Sequence, residues 1–319
     1  MNDAGSPRPR SMATNPWRRP SGPNIAGTAG VTSPQRTWFS VRRMARLLGV
    51  STSGYYAHAK RVAATVPTPR HQRRADLAVK ITEAHQDSRG TYGSPRITAE
   101  LRDQGEVVTA KTVAKIMASI GIEGISPRTF KVKTTVVDPA ASFPPDLVDR
   151  HFDRGRPDEV WLTDITYLTC GEDEMFLCAV RDGHSRKELG YSISAHISAA
   201  MVTDAIEAAV AVRGGRCRGT ILHSDHGGDF TAHLTAEACF GHGLRRSMGA
   251  TGICRDNSPA ETFWSTFKHE HYYRHVYATK SELVAAVDNW VRFYKNVRRH
   301  SAIGMLSPDN FEQSLRTAA

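Results

Sequence analysis

Hydrophobic and polar positions follow different periods in the two halves of the chain. Before residue 122 apolar residues recur at helical spacing, as Leu77, Ile81 and Ala84 do within one segment. Beyond about residue 157, short runs rich in β-branched and aromatic residues indicate strands. The runs are, in chain order, VWLTDITYLT, MFLCAVRDG, LGYSISAHI, GTILHSD and LRRSMG, and helical segments follow the third, fourth and fifth. This order predicts a mixed α/β sheet of five strands with flanking helices.

The helical segments before the sheet have the outline of helix-turn-helix modules. In residues 39 to 61, Gly49 separates two helical patterns. A second set runs from about residue 75 to 121, and its last helix exposes Lys111 and Lys115. Three short helices of this kind can place one helix in the major groove of DNA. A helical packing module with an ordinary charged face is the alternative.

The pattern divides the chain into five regions. They are a disordered basic arm (1–36), a helical DNA-binding region (37–121), a linker (122–154), a sheet-containing core (155–275) and a C-terminal helical extension (276–319). The arm is rich in Pro, Gly, Ser, Thr and Arg, so folding would not repay its ordering entropy. No run approaches the length of a membrane span, and the start lacks the apolar segment of a signal peptide. A cytoplasmic protein without membrane contact is therefore expected.

Positive charge is concentrated at the beginning of the chain. Residues 1–75 hold thirteen basic residues against the single acid Asp3, a balance of +12, whereas the whole chain carries +10. The remainder is therefore near −2. Such an arm binds polyanions by releasing counterions from phosphates, or it serves only as a solubilising tail. The five cysteines are odd in number and contain no C-x-x-C pair, which indicates reduced thiols.

Three acidic residues stand at positions that favour metal chemistry. Asp164 lies inside the first strand, Asp225 ends the fourth, and Glu261 lies in the first turn of a later helix. Carboxylates from separate strands and a helix can converge above a sheet, and such hard oxygen ligands suit Mg²⁺ or Mn²⁺. Two ions of this kind stabilise both the attacking and the leaving oxygen of a phosphoryl displacement. The three acids thus indicate nuclease or strand-transfer chemistry.

Each of these acids also has a structural alternative. A carboxylate buried in a strand, as Asp164 is, can be paired with a buried arginine. Asp225 is placed to cap the glycine-rich turn that follows it. Glu261 stands three residues after Ser258, the spacing of a capping box in which the glutamate bonds back to the cap. The residue pattern leaves all three alternatives open.

The spacing of the acids resembles that of the D,D-35-E transposases and retroviral-type integrases. Thirty-five residues separate Asp225 from Glu261. The motifs that carry the resemblance are, in chain order, TYGSPRI, TVAKIMASIGI, WLTDITYLT with AVRDGHSRKELGY, HSDHGGDFT, DNSPAETFWSTFKHE and FYKNVRRHSAIGMLSPDNFE. Together they resemble the second-frame (OrfB-type) protein of bacterial insertion sequences in the family numbered three. Asp229 and Lys295 depart from that pattern, where Gln and Asn are common.

This resemblance implies a fold, an activity and a set of partners. The fold is a ribonuclease-H-like catalytic core preceded by all-α helix-turn-helix modules. The activity is that of a transposase, which cuts DNA at the 3′ ends of its element and uses the freed hydroxyl in strand transfer, with Asp164, Asp225 and Glu261 holding two Mg²⁺ (or Mn²⁺) ions. The partners are DNA, as terminal repeats and as target, the first-frame protein of the same element, and further copies of the chain on DNA in the bacterial nucleoid. A non-catalytic DNA-binding regulator and a plain metal-dependent nuclease are the alternatives.

Further site residues follow from the motifs. His223 and Asn257 are expected to support the metal ligands without binding the ion, since imidazole suits softer metals. Lys268 follows Glu261 by seven residues on the same helix face, where it can reach a DNA phosphate. The other predicted DNA contacts are Arg96, Lys111, Lys115, Arg298 and Arg299. Solvated surface charges and helix-end charges are the alternative for these cations.

Overall fold

The computed structural model describes residues 40–63, 68–126, 143–215, 217–249 and 257–318. The predicted arm and residues 127–142 of the predicted linker lie outside these ranges. The chain forms two compact units, Met1–Arg73 and Arg74–Ala319. The second unit therefore contains part of the predicted helical region together with the sheet. Within the described ranges, no helix has the length and apolar character needed to cross a bilayer.

The first unit contains two short helices, α1 (Val41–Leu47) and α2 (Thr52–Ala63). The turn between them contains Gly49, whose φ of 65° lies in the left-handed region that glycine adopts without strain. Ser51 accepts a hydrogen bond from the amide of Gly54 at 3.0 Å and so caps α2. The two helices contact each other, as the pattern predicted.

The second unit begins within α3 (Pro69–Asp87), which forms a helical module with α4 (Ser94–Asp103) and α5 (Ala110–Ile120). Thr109 caps α5 by accepting from the amide of Thr112, and Gly121 ends it with a φ of 74°. The three helices enclose a small apolar core of their own. Its members are Leu77, Ile81, Ala84, Tyr92, Ile97, Leu101, Val108, Val113, Ile116 and Met117.

A five-stranded sheet forms the centre of this unit. The strands are β1 (Val160–Cys170), β2 (Asp173–Asp182), β3 (Glu188–Ser194), β4 (Ile221–Ser224) and β5 (Arg245–Met248), in the order β3-β2-β1-β4-β5. β1, β2 and β3 pair antiparallel, whereas β4 pairs parallel with both β1 and β5. All five predicted strands are present, and the predicted mixed α/β architecture is confirmed.

Both faces of the sheet are covered by helices, because side chains alternate between the faces along each strand. On one face, Trp161 and Val180 pack against α6 (Ala199–Val212) and α8 (His233–Gly241). On the other face, Leu168 and Leu177 pack against α9 (Ser258–Glu270) and α10 (Lys280–Asn296). A separate short helix, α7 (Gly228–Thr231), precedes α8. The extended backbone of Ala232 (ψ 148°) separates the two helices.

The segments that flank the sheet are also packed against it. Val148, within the predicted linker, is buried with Val160, Leu162 and Ile221, so residues 143–154 belong to the core instead of a linker. At the other end of the chain, α11 (Pro308–Ala318) presents Glu312 to the sheet-bearing part. The carboxylate of Glu312 receives two hydrogen bonds from Arg213, at 2.6 and 2.9 Å.

Tyr92 attaches the helical module to the C-terminal part of the same unit. Its hydroxyl accepts a hydrogen bond from the amide of Arg299 at 2.7 Å and donates one to the carbonyl of Val297 at 3.2 Å. The guanidinium of Arg89 lies 4.3 Å from the ring centroid of Phe293 on α10. The module is therefore fixed to the core by specific polar contacts.

Candidate active site

The register of the parallel pair β1–β4 brings Asp164 beside Asp225. Leu162 is the partner of His223 in this pair. Two residues further along each strand stand Asp164 and Asp225, and strand alternation directs both side chains to the face that Leu162 occupies. β4 ends at Ser224, so Asp225 lies just beyond its carboxyl end, where open α/β sheets bind their ligands. Two carboxylates from distant parts of the chain thus become neighbours.

Asp164 is half-buried and carries a strongly raised pKa. Burial raises the pKa of this carboxyl to about 7, and the negative charges of Asp225 and Glu261 add to the effect. One oxygen accepts a hydrogen bond from the amide of Ile165 at 2.9 Å. Among the ion pairs of the described residues, none joins an arginine to Asp164, so the alternative of a buried Arg partner is not observed. Asp164 instead lies in a field of like charge.

Asp225 is exposed, and one of its oxygens is engaged in the turn that follows. Its Oδ1 accepts a hydrogen bond from the amide of Gly227 at 2.9 Å, so the predicted turn-capping contact is present. A Cβ at Gly227 would stand 3.1 Å from Oδ1 and 3.2 Å from the ring of Phe230. A larger residue would therefore press on the carboxylate. The hydrogen bond from Gly227 orients Oδ1 of Asp225 and does not involve Oδ2, so it is compatible with metal binding by this carboxylate.

Glu261 lies on the exposed side of the first turn of α9. The helix begins at Ser258 after the N-cap residue Asn257, whose side chain makes no capping bond. Among the described residues, no hydrogen bond joins the carboxylate of Glu261 to the helix start, so the capping-box alternative is not observed. α9 packs on the sheet face that carries Asp164, and the charge of Glu261 is one of the causes that raise the pKa of Asp164.

The charges of Asp225 and Glu261 both act on Asp164, but the three carboxylates do not converge closely in the described part of the structure. Within the described ranges, no three side chains of His, Cys, Asp or Glu are grouped tightly enough to hold a metal ion as they stand. Mutual repulsion of carboxylates disfavours a closer approach without a cation between them. The donor set consists of carboxylate oxygens, which fits Mg²⁺ or Mn²⁺ and not a softer metal.

Two neighbouring polar residues are fixed by bonds to the sheet. The Nδ2 of Asn257 donates to the carbonyl of Thr163 at 3.2 Å, so the start of α9 is attached to β1 one residue before Asp164. His223 is buried, and its Nδ1 lies 3.0 Å from the hydroxyl of Ser247 on β5. Both positions suit residues that support the acids without themselves binding an ion.

Lys268 lies near the acids on α9. Burial lowers the pKa of its ammonium, whereas the negative charge of Asp164 acts in the opposite direction. The side chain is half-buried, and no ion pair joins it to a carboxylate among the described residues. An ammonium close to the acids and without an ion-pair partner of its own is suited to a DNA phosphate.

Three of the predicted DNA-binding arginines are engaged in ion pairs within the protein. Arg298 is 3% exposed and donates to both oxygens of Glu270, at 2.6 and 2.7 Å, so it is out of reach of DNA. Arg96 contacts the same carboxylate at 3.3 Å. Arg299 pairs with Glu100 at 2.7 Å and with Asp103 at 2.6 Å. The sequence did not indicate these pairings, because the acidic partners are far away along the chain or belong to another helix.

Lys111 and Lys115 remain available for DNA. Both side chains are exposed on α5, one helical turn apart, and neither has an ion pair among the described residues. The apolar face of the same helix, with Val113 and Ile116, is buried in the helical module. α5 therefore presents a basic face outwards while its other face holds it in place.

Two further residues near the acids have properties that the motif comparison missed. Burial, together with the charges of Asp164, Asp229 and Asp225, raises the pKa of the Cys178 thiol to about 12, so Asp229 belongs to the same acidic surroundings. Arg181 is buried on β2 and donates to the carbonyl of Pro259 at 2.6 Å. An arginine directly after the apolar run MFLCAV was the available signal for Arg181.

Similarity to known proteins extends over most of the chain. Two families described as Integrase core domain match residues 154–254 and 242–308, and the HTH-like domain family matches residues 71–130. Transposase InsF for insertion sequence IS3A of Escherichia coli (strain K12) is 34% identical over 277 residues, 86% of this chain and 94% of that protein. The Insertion element IS600 uncharacterized 31 kDa protein of Shigella sonnei is 29% identical over 278 residues, 86% of this chain and 100% of that protein.

Solved structures with partial similarity come from retroviruses. The simian T-cell lymphotropic virus intasome in complex with PP2A regulatory subunit B56 gamma matches with a TM-score of 0.43 and 13% identity, covering 72% of this chain and 73% of that chain. The catalytic core domain of BIV integrase matches with a TM-score of 0.37 and 19% identity, covering 50% and 98% respectively.

Proposed function

This chain belongs to the family of IS3 insertion-sequence transposases with an integrase core domain, and from that premise we propose that it cleaves DNA at the 3′ ends of its element and transfers the strand. Asp164, Asp225 and Glu261 are the proposed catalytic residues. The observation that carries the proposal is the β1–β4 register, which sets Asp164 beside Asp225, with Glu261 close enough to raise the pKa of Asp164. A carboxylate such as Asp164, held out of solvent near two further acids, is costly to ionise unless a cation binds beside it.

The proposed cofactor is a pair of Mg²⁺ (or Mn²⁺) ions. When bound, such ions stabilise the charge on the attacking and the leaving oxygen of an in-line displacement. Asp164, Asp225 and Glu261 would hold these ions through their carboxylate oxygens, and Asp164 is the acid on which the charges of the other two act. Because the carboxylates stand apart in the structure, binding requires rotamer changes that draw them together. Asn257 and His223 keep the strand ends and the start of α9 in place during that change.

DNA is the proposed partner, as terminal repeats and as target. Lys268 neutralises a phosphate close to the acids, and Lys111 and Lys115 contact the backbone in a groove of the terminal repeat. Their positions support this assignment, since all three are without ion-pair partners among the described residues. A first-frame protein of the same element and further copies of this chain complete the proposed complex on DNA.

Cleavage and joining of the element's terminal repeats test this function. Wild-type protein, with and without a first-frame partner, is incubated with end-labelled duplexes that carry those repeats, a target plasmid and Mg²⁺. We expect 3′-end nicking and strand transfer from the wild type and a loss of at least about 100-fold in Asp225→Asn and Glu261→Gln. Glu172→Gln, an exposed acid in the β1–β2 turn, is the matched control and retains activity.

Other outcomes of this experiment distinguish the alternative functions. Full activity in both acid variants would exclude the catalytic assignment. Specific binding that persists in EDTA, without nicking by any form of the protein, would identify a non-catalytic regulator. Nicking without joining would identify a plain nuclease of the same fold.

A further inference from the structure

The first turn of α9 carries Glu261, and few bonds hold that turn in place. The N-cap residue Asn257 forms no capping bond at the helix start, since its side chain points to the carbonyl of Thr163. Apart from this bond, the first turn receives a polar side-chain contact from Arg181. Asn257 thus ties the start of α9 to β1, and Arg181 ties the first turn of α9 to β2.

Arg181 reaches α9 from the sheet face that carries Asp164. It stands opposite Leu162 in the β1–β2 pair, on the same side as Asp164. Its Nη2 donates to the carbonyl of Pro259 at 2.6 Å, and its guanidinium lies 5.3 Å from the ring centroid of Phe263. Both contacts are on α9, and they bracket Glu261 in sequence.

The surroundings of Arg181 are unfavourable for a charge. Only 6% of the residue is exposed, and its Nε is buried without a hydrogen-bond partner in the described part of the chain. No carboxylate forms an ion pair with it among the same residues. A buried charge of this kind lowers stability, and an apolar side chain of similar volume is often neutral or stabilising in such a place. Stability alone therefore does not account for arginine here.

We propose that Arg181 is a positioning residue for Glu261. By holding the Pro259 carbonyl and the Phe263 ring, it sets the position of the first turn of α9 relative to Asp164 on β1 and to Asp225 at the end of β4. Displacement of a helix turn by about 1 Å is enough to lower a rate by about 100-fold when it carries a reacting group. This inference rests on the proposed function, because Glu261 must act with the other two acids for its position to matter.

Substitution of Arg181 tests the proposal. Arg181→Met keeps the volume and the contact with the aromatic ring but removes the donor, whereas Arg181→Lys keeps one donor. The control is Arg186→Met, because Arg186 is a half-buried arginine that also has an unpartnered Nε among the described residues and whose ion-pair partner Asp153 lies outside α9. Each variant is measured for thermal unfolding, for DNA binding in EDTA, for hydrogen exchange of α9 peptides, and for cleavage of the terminal repeats in Mg²⁺.

A positioning role predicts a specific combination of results. Arg181→Met should melt at or above the wild-type temperature and bind DNA normally in EDTA. Its amides at the start of α9 should exchange faster, and its cleavage rate should fall about 10- to 100-fold, the range typical of residues that orient metal ligands. Arg181→Lys should recover part of the rate, and Arg186→Met should cleave within about threefold of the wild type.

The results that would overturn the proposal differ from those that would overturn the function. If Arg181→Met cleaves DNA at the wild-type rate and its amides at the start of α9 exchange as in the wild type, Arg181 has no positioning role. Asp225→Asn would remain inactive in that case, so the proposed function would stand. A large drop in melting temperature with faster exchange throughout the sheet would mark Arg181 as merely structural. Full activity of Asp225→Asn would instead reject the function, whatever the result for Arg181.

Discussion

At the scale of single residues, the proposed chemistry depends on the electrostatic surroundings of its acids. Asp164 shows this most clearly, because burial and two neighbouring carboxylates raise its pKa to about 7. Glu270, by contrast, is buried on the same helix as Glu261 but is paired with Arg298. Asp164 and Glu270 both have restricted access to solvent. Their partners distinguish the structural carboxylate, Glu270, from the candidate metal ligand, Asp164.

The pH dependence of stability tests the environment of Asp164. The folded-state pKa of about 7 lies above the ordinary value of 3.8, so between these pH values the folded protein holds a proton that the unfolded chain has released. The contribution of Asp164 to the stability of the metal-free protein should therefore fall as pH rises from about 4 to about 7 and then level off. Urea unfolding in EDTA at several pH values measures this.

The difference between wild type and Asp164→Asn isolates the contribution of this residue. The variant should lose most of the decline, and Asp149→Asn, an exposed acid, should keep it. A wild-type curve parallel to that of Asp164→Asn across the whole range would mean that Asp164 ionises normally, contrary to the structure.

At the scale of elements, the sequence predicted more of the sheet than of the contacts between helices. The five strands were predictable because each has a run of apolar and β-branched residues bounded by turns. The register was not, yet it is the register that makes Asp164 and Asp225 neighbours. The pairing of Arg298 with Glu270 was also missed, since it depends on how α9 meets the segment after α10. Local pattern carries no information about such tertiary pairing.

The basic face of α5 provides a test at this scale. Replacing both Lys111 and Lys115 with Gln should weaken binding to terminal-repeat DNA and reduce the slope of log affinity against log salt by about 1 to 2, because each phosphate contact releases about one counterion. Filter binding or fluorescence anisotropy over a range of salt concentrations measures both quantities.

Lys80→Gln is the matched control for this pair. Lys80 lies on α3 of the same module, but its ammonium is already bound to Glu106 at 2.7 Å. Its loss should leave the salt slope unchanged. An unaltered slope in the double variant, with normal unfolding, would exclude α5 as a DNA-contacting helix.

At the scale of the whole molecule, the active site exists only through the packing of distant segments. Its three acids come from β1, from the end of β4 and from α9, and the segment before β1 packs beneath the same sheet. The resemblance of motifs indicated the family, since motif order survives in the sequence, and it supplied the three acids of the proposed site. The attachment of the helical module through Tyr92 and the interior role of Arg298 required the folded chain.

The most direct test of the central claim is the location of bound metal. Crystals grown with Mn²⁺ and measured near its absorption edge reveal the ion by anomalous scattering. We predict anomalous peaks within about 2.0–2.4 Å of carboxylate oxygens from Asp164, Asp225 and Glu261, with Asp164 shared between two ions. Anomalous peaks away from these carboxylates would contradict the proposal. So would crystals of a DNA complex in which the DNA is cleaved while the metal is bound by Asp164 and Asp225 and Glu261 points away from it.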